Sequence, residues 1–190
     1  ARLLPLRKSE SALASGDAAA LDRAVQCHLM LHAWMLSQSG IPVLYSGDEL
    51  GRLNDYSYHD DPDKAADSRY LHRGNFQWDQ AALCRDESTL PGRIFQALRR
   101  LEKIRGKEQV FRADAEVTLP DSGSDNVLAL CRRYGEEELL AFFNFSEYAQ
   151  TVQCKMARFT DLVSGQQTDG GKISLPGYGF LWLKGTGENR

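Results

Sequence analysis

Gly40-Ile41-Pro42-Val43-Leu44-Tyr45-Ser46-Gly47-Asp48-Glu49 is the stretch on which the reading of this chain turns. Gly40 suits a helix C-terminus, where a left-handed residue is free of steric cost only without a Cβ. Pro42 ends any helix and enters a strand only at its first residue. Val43, Leu44 and Tyr45 follow, too few to alternate between faces, so a short strand buried on both sides is predicted over 42–46. Asp48 and Glu49 then fall just past its C-terminal end, where α/β barrels gather their active-site groups.

Upstream of this stretch, Asp17 is placed to cap a helix running to about Ser37. Leu21, Val25, His28, Leu29, His32 and Leu36 recur at helical spacing, and Ala18–Ala20 favour the state intrinsically. Met30, Ala33 and Trp34 widen the apolar surface, so this helix is expected to lie wedged between neighbours. His28 and His32 have i, i+4 spacing, but no carboxylate or third ligand accompanies them, and no metal or cofactor is assigned. Residues 1–16, with Pro5, Ser9, Ser11 and Ser15, read as a loop or frayed start.

Downstream, Leu53-Asn54-Asp55-Tyr56-Ser57-Tyr58-His59-Asp60-Asp61 and Asp67-Ser68-Arg69-Tyr70-Leu71-His72-Arg73 belong to a loop of roughly thirty residues without periodicity, a length usually kept for function. A second helix is predicted over Leu90–Lys107, with Ser88 or Thr89 as cap and Pro91 in the first turn. Ile94, Leu98, Leu101 and Ile104 form its core stripe. Arg93, Arg99, Arg100, Lys103 and Arg105 read as a solvated basic face.

From Val110 the period changes to two. Strands are predicted at Glu116–Leu119, Val127–Arg133, Glu138–Phe145, Thr151–Lys155, Phe159–Leu162, Ile173–Leu175 and Gly179–Leu183. They are punctuated by Asp121-Ser122-Gly123, Tyr134-Gly135-Glu136, Ser164-Gly165, Asp169-Gly170-Gly171 and Pro176-Gly177. That pattern implies an antiparallel β-sandwich over 109–190. Residues 1–108 hold helix, strand, long loop and helix. A lone strand cannot form a parallel sheet, so this half reads as the last part of a larger α/β domain.

Composition narrows the function classes. A net charge of −3 argues against a nucleic-acid partner, which would need a clustered basic face, and the basic side of the second helix reads as solvated surface. No apolar run approaches the roughly 20 residues of a bilayer span, so no membrane partner is expected. Cys27, Cys84, Cys131 and Cys154 lack C-x-x-C spacing, which removes a standard zinc site. Cys27 and Cys131 read as buried free thiols, and a reducing cytoplasm is the expected location.

With these residues in view, the chain resembles the retaining α-amylase superfamily (glycoside hydrolase family 13). Gly40 to Glu49 looks like that family's Gly-x-Pro-x-x-x-x-Gly-x-Glu around barrel strand 8. Within the family the likeness is to the amylosucrase and sucrose hydrolase subgroup. It is carried by Leu53-Asn54-Asp55-Tyr56, the Asp67–Arg73 stretch, Asn144-Phe145-Ser146-Glu147-Tyr148 and Gln150-Thr151-Val152, and it runs from about residue 17 to 184.

The resemblance implies the last βα portion of a TIM (β/α)8 barrel over 1–108 (helix 7, strand 8, loop 8, helix 8), followed by a C-terminal β-sandwich domain over 109–190. It further implies sucrose and α-glucan as substrates of the full-length parent. The family's nucleophilic Asp, acid/base Glu and stabilising Asp follow strands 4, 5 and 7. All three are expected upstream of residue 1, so no catalytic residue is assigned here, the rest of the barrel is required, and the segment alone is expected to be inactive.

Substrate-binding residues implied are Arg69, which looks like the arginine closing the glucosyl pocket through an acidic partner on an earlier loop, and Asn54, Asp55 and Tyr56 beside it. A guanidinium–carboxylate pair is rigid enough to make a pocket a dead end, which favours a terminal sugar. Arg69 making only a surface contact is the alternative. Tyr56, Tyr58 and Tyr70 read either as sugar platforms or as the loop's own small core. Ser57-Tyr58 departs from the family pattern, leaving acceptor preference open. Sucrose hydrolysis, a non-catalytic carbohydrate-binding β module and a metal enzyme using His28 and His32 are the competing readings.

Overall fold

The computed structural model describes residues 4–185. The chain separates into two compact units. One takes in the chain up to His28 together with Leu44–Leu98, and the other takes in Leu29–Val43 with the chain from Arg99 onward. No helix among the described residues is long and apolar enough to cross a membrane.

Helix α1 spans Leu4–Ser15, where a loop or frayed start was expected. Its serines do not break it, because Ser9 is buried and the Ser15 hydroxyl donates back to the Ala12 carbonyl at 3.2 Å. Helix α2 spans Ala18–Leu36. Asp17 Oδ1 accepts from the Ala20 amide at 2.9 Å, satisfying one of the unpaired N–H groups of the first turn. Ala24, Val25, Cys27, His28, Met30, His32, Ala33 and Leu36 of α2 are all buried, as a helix enclosed on several sides requires.

The strand predicted over 42–46 does not form, and the segment is without regular structure. A strand is defined by a ladder, and the described residues offer none to pair with it. Ile41 and Val43 are consequently 91% and 77% exposed. The following loop is not structureless. It contains 3-10 turns at Asp48–Leu50, Tyr56–Asp60 and Ser68–His72 and a short helix α3, Trp78–Ala82. Elements of three to five residues are too short to print a period.

Helix α4 covers Leu90–Lys107. Thr89 is its cap, its Oγ1 accepting from the Gly92 amide at 3.1 Å. Ile94, Leu98 and Leu101 are buried. Arg105 departs from the predicted solvated face, because its guanidinium donates to the carbonyls of Leu36, Gln38 and Gly40.

Among the described residues six strands form one antiparallel sheet: β1 (Glu116–Thr118), β2 (Val127–Tyr134), β3 (Glu137–Asn144), β4 (Gln150–Asp161), β5 (Gln167–Leu175) and β6 (Phe180–Gly185), in the order β1-β2-β3-β6-β4-β5. The antiparallel pattern holds, whereas the seven strands in two sheets do not. Thr151–Lys155 and Phe159–Leu162 belong largely to one long strand, β4, whose pairing with β5 shifts register between Cys154 and Arg158. Gly170 and Gly171 lie inside β5 beside this shift instead of making a turn. A Cβ on Gly170 would run into the Met156 carbonyl, and Gly171 has φ 120°. The glycine pair therefore marks a bulge.

One face of the sheet gathers Val127, Ala129, Phe142, Val152, Cys154, Phe159, Leu175 and Leu183 into a single core. Strands near opposite edges share that cluster, so the sheet curls over itself. On the other face Leu139, Ala141, Phe143 and Trp182 are also buried, each large side chain contributing about 1.5–3 kcal/mol. Double-sided burial explains why β2 and β3 read as nearly continuous apolar runs.

Buried among them is Arg132. Its Nε, Nη1 and Nη2 donate to the carbonyls of Val110 (2.6 Å), Ser37 (2.8 Å) and Arg112 (2.6 Å). Burial pushes the pKa values of Arg132 and Arg105 below the ordinary arginine value. Trp182 Nε1 donates to Ser37 Oγ at 2.9 Å. The carbonyls a helix leaves unpaired at its C-terminus are thus met at α2 by two arginines, cations at the favourable end of the helix dipole.

Candidate functional site

Gly47 and Gly51 set the turn at the end of the Gly40–Glu49 stretch, with φ 97° and 63°. A side chain at Gly47 would meet Arg52 Cδ at 2.8 Å. The Gly47 amide donates to Glu49 Oε2 at 2.8 Å, and the Asp48 carbonyl lies 3.0 Å from His28 Nε2. Glu49 is therefore engaged in shaping the turn. Among the described residues no group of three or more His, Cys, Asp or Glu side chains is arranged to hold a metal.

Beyond this turn the loop folds on its own backbone through aspartate caps. Asp55 Oδ1 accepts from the Ser57 amide at 3.0 Å and from its hydroxyl at 2.6 Å, and these bonds lower the Asp55 pKa. The Asp55 amide donates to the Leu71 carbonyl at 3.0 Å, tying the two halves of the loop together. Gly74 sits against this link. A Cβ there would meet Asp55 Oδ2 and Arg52 Nη2, so any larger residue would have to displace these two side-chain ends. Tyr45 closes the same region, its hydroxyl donating to the His72 carbonyl at 3.2 Å.

Asn54 and Tyr56 meet at a residue that pattern reading did not single out, Glu10 of α1. Glu10 Oε1 accepts from the Asn54 amide at 2.6 Å and Oε2 from the Tyr56 hydroxyl at 3.1 Å. Asn54 Nδ2 donates to the Tyr56 oxygen at 3.3 Å. No sequence period links a helical glutamate to a loop more than forty residues ahead.

Arg69 is presented differently. It lies in the Ser68–His72 turn, its side chain 69% exposed. Asp67 grips it in a fork, with Nε–Oδ1 at 2.8 Å and Nη2–Oδ2 at 2.7 Å. Asp67 also caps the turn by accepting from the Arg69 amide at 3.0 Å. These bonds hold the Asp67 carboxyl down to about 2 and raise the Arg69 pKa. Of the tyrosines, Tyr56 is exposed, while Tyr58 is buried with its ring 4.0 Å from that of His59. Tyr70 is half-buried beneath the Lys64 ammonium.

The structure thus joins Asn54, Asp55 and Tyr56 in one hydrogen-bonded turn and sets Arg69 on a neighbouring turn. A separate pocket of about 470 Å3 in the same unit is lined by Leu50, Leu53, Phe76, Leu90, Arg52 and Gln77 among others, and by none of the four candidate residues.

No family model matches the chain. Glucosylglycerate phosphorylase of Escherichia coli (strain K12) is 27% identical over 158 residues, which is 82% of this chain and 28% of that relative. The chain therefore spans little more than a quarter of its relative's length. Among solved structures, the maltogenic amylase from S. marinus has a TM-score of 0.60 at 21% identity, covering 84% of this chain and 19% of its own. The trehalulose synthase of Pseudomonas mesoacidophila MX-45 gives 0.63 at 16%, covering 84% and 38%. The pullulanase of Anoxybacillus sp. LM18-11 gives 0.66 at 18%, covering 96% and 26%. At such identities the structural likeness establishes the fold. The chain thus shares the fold of a part of each of these carbohydrate enzymes, and is similar in sequence to a part of the phosphorylase.

Proposed function

We propose that the chain is the C-terminal segment of a retaining, amylosucrase-like enzyme that transfers glucosyl units from sucrose to α-glucan. In this reading residues 1–108 complete a (β/α)8 barrel and residues 109–190 form its C-terminal β domain. The missing part supplies the nucleophilic and acid/base carboxyl groups, about 5–5.5 Å apart in retaining enzymes. This segment supplies binding groups. The observation that carries the reading is the exposed, orientationally fixed guanidinium of Arg69, its turn packed beside the Asn54–Tyr56 turn. With two nitrogens held by Asp67, the guanidinium keeps N–H groups for an acidic partner or sugar hydroxyls, and its plane is set before substrate arrives.

The intermediate would be a covalent β-glucosyl enzyme, and the acceptor decides the product. Transfer to a glucan is the leading outcome, and transfer to water is its neighbour. The name of the glucosylglycerate phosphorylase relative favours a second reading, in which inorganic phosphate takes the glucosyl group. One experiment separates them. The full-length parent is incubated with sucrose alone, with added α-glucan and with added phosphate, and fructose, glucose, glucan and glucose phosphate are measured. Glucan elongation is expected. Glucose phosphate as the main product favours phosphorolysis, and no turnover of sucrose under any condition removes the sucrose reading.

A further inference from the structure

We propose that Glu10 is a positioning residue for the sugar site, holding the Asn54–Tyr56 turn in one orientation without itself touching substrate. This inference rests on the reading of Asn54, Asp55 and Tyr56 as sugar-facing. One carboxylate is shared between a backbone amide and a phenol two residues apart. Because the Tyr56 hydroxyl spends its proton on Glu10, its oxygen is left to accept, and only the amide nitrogen of Asn54 can donate to it. That fixes the Asn54 side chain with Nδ2 toward Tyr56. Its Oδ1 is then buried without a donor among the described residues. An acceptor left in that state is unfavourable, so Asn54 would turn if nothing held it. The two bonds to Glu10 are what hold the arrangement. Charge strengthens both, since an ionised acceptor makes the shorter, stronger hydrogen bond.

The geometry therefore separates Glu10 from residues that merely stabilise α1. Glu10→Ala removes both anchors. Glu10→Gln keeps an acceptor for the Asn54 amide, but its own amide nitrogen must donate to the Tyr56 oxygen, which releases the phenol proton and weakens the lock. Tyr56→Phe removes the second anchor alone.

The test uses the full-length parent with two readouts, amide hydrogen exchange at Asn54 and kcat/KM for the glucosyl donor. Glu10→Ala is expected to speed exchange at Asn54 at least tenfold and to lower kcat/KM at least tenfold, with Glu10→Gln recovering most of both. The losses from Glu10→Ala and Tyr56→Phe are expected to overlap in the double variant, since both act through one lock. Faster exchange with unchanged kcat/KM overturns the positioning role, and so does full additivity of the two variants. Unchanged exchange in Glu10→Ala overturns the anchor itself. If the unsubstituted parent turns over no glucosyl donor, the proposed function fails, and the exchange arm still decides whether the anchor exists.

Discussion

Arg69 and Asp67 form the most sharply defined charged pair in the candidate site, and their chemistry makes two expectations at the scale of single residues. The Asp67 carboxyl is held down to about 2, first by the guanidinium fork and then by the Arg69 amide. Because the folded value lies below the unfolded one, the pair favours the folded turn above the ordinary carboxylate pKa of 3.8, and that contribution is lost as pH falls toward 2. Carbon-detected NMR titration is expected to give an Asp67 midpoint near 2, moving up toward 3.8 in Arg69→Ala; a wild-type midpoint at the ordinary value would show that the fork does not persist in solution. The second expectation concerns the parent enzyme. If Arg69 pairs with an acid from an earlier loop, Arg69→Ala strands that carboxylate, at a cost of ~3–5 kcal/mol when buried. Arg69→Lys is expected to lose at least tenfold in kcat/KM as well, because an ammonium cannot reproduce a planar two-pronged contact. Arg99, which pairs with Glu102 on the exposed face of α4, serves as control, and Arg99→Ala should leave kcat/KM unchanged. Near-normal sucrose turnover by folded Arg69→Ala would leave Arg69 with only its surface contact to Asp67.

Among the elements, the C-terminus of α2 gathers two arginines and an indole onto its end. Arg132 is fully buried and donates to three carbonyls, and no carboxylate pairs with it among the described residues. Arg132→Met fills similar space but leaves those acceptors without donors, so a loss of about 3 kcal/mol in unfolding free energy is expected. Trp182→Phe, which forfeits a single bond to Ser37 Oγ, should cost nearer 1 kcal/mol for that bond. Denaturant unfolding followed by circular dichroism measures both, and equal losses would mean that packing, not the carbonyl clasp, dominates. Elements also differ in how far the sequence disclosed them. Helices α2 and α4 were legible because eighteen or more residues repeat one period, and β2 and β3 because apolar runs end in turn residues. The bulge was misread because a Gly-Gly pair inside a strand looks like a turn until the partner carbonyl is seen. The loop was legible as a loop, and its turns carried a sign that periodicity does not report. Asp55, Asp61, Asp67 and Asp86 each accept from the backbone amide two residues on, the local cap that short acidic side chains make. Glu10 and Arg132 were beyond reach, since their partners are set by tertiary approach and leave no spacing to read.

At the scale of the whole molecule, the segment from Ile41 to Tyr45 decides what the chain can do alone. It is Pro-led and apolar, yet it has no ladder, and Ile41, Val43 and Tyr45 face solvent. A stretch of that composition is costly to leave unpaired and is suited to burial between neighbouring strands. On the proposed function the same question arises for chemistry, because a retaining mechanism needs a matched pair of carboxyl groups. Here Asp55 and Asp67 cap turns and Glu49 holds the Gly47 amide. The isolated chain is therefore expected to release neither glucose nor fructose from sucrose. On the proposed function, supplying the upstream part of the proposed parent as a separate polypeptide should restore turnover and protect the amides of residues 43–45 from hydrogen exchange, as pairing in a sheet would. Turnover by the isolated chain at about 1 per second or more, a typical enzymatic rate, would mean that the acids of this loop form a catalytic pair of their own. Restored turnover without protection at 43–45 would instead separate the activity from strand pairing, and would place the completion of the site in the loops alone.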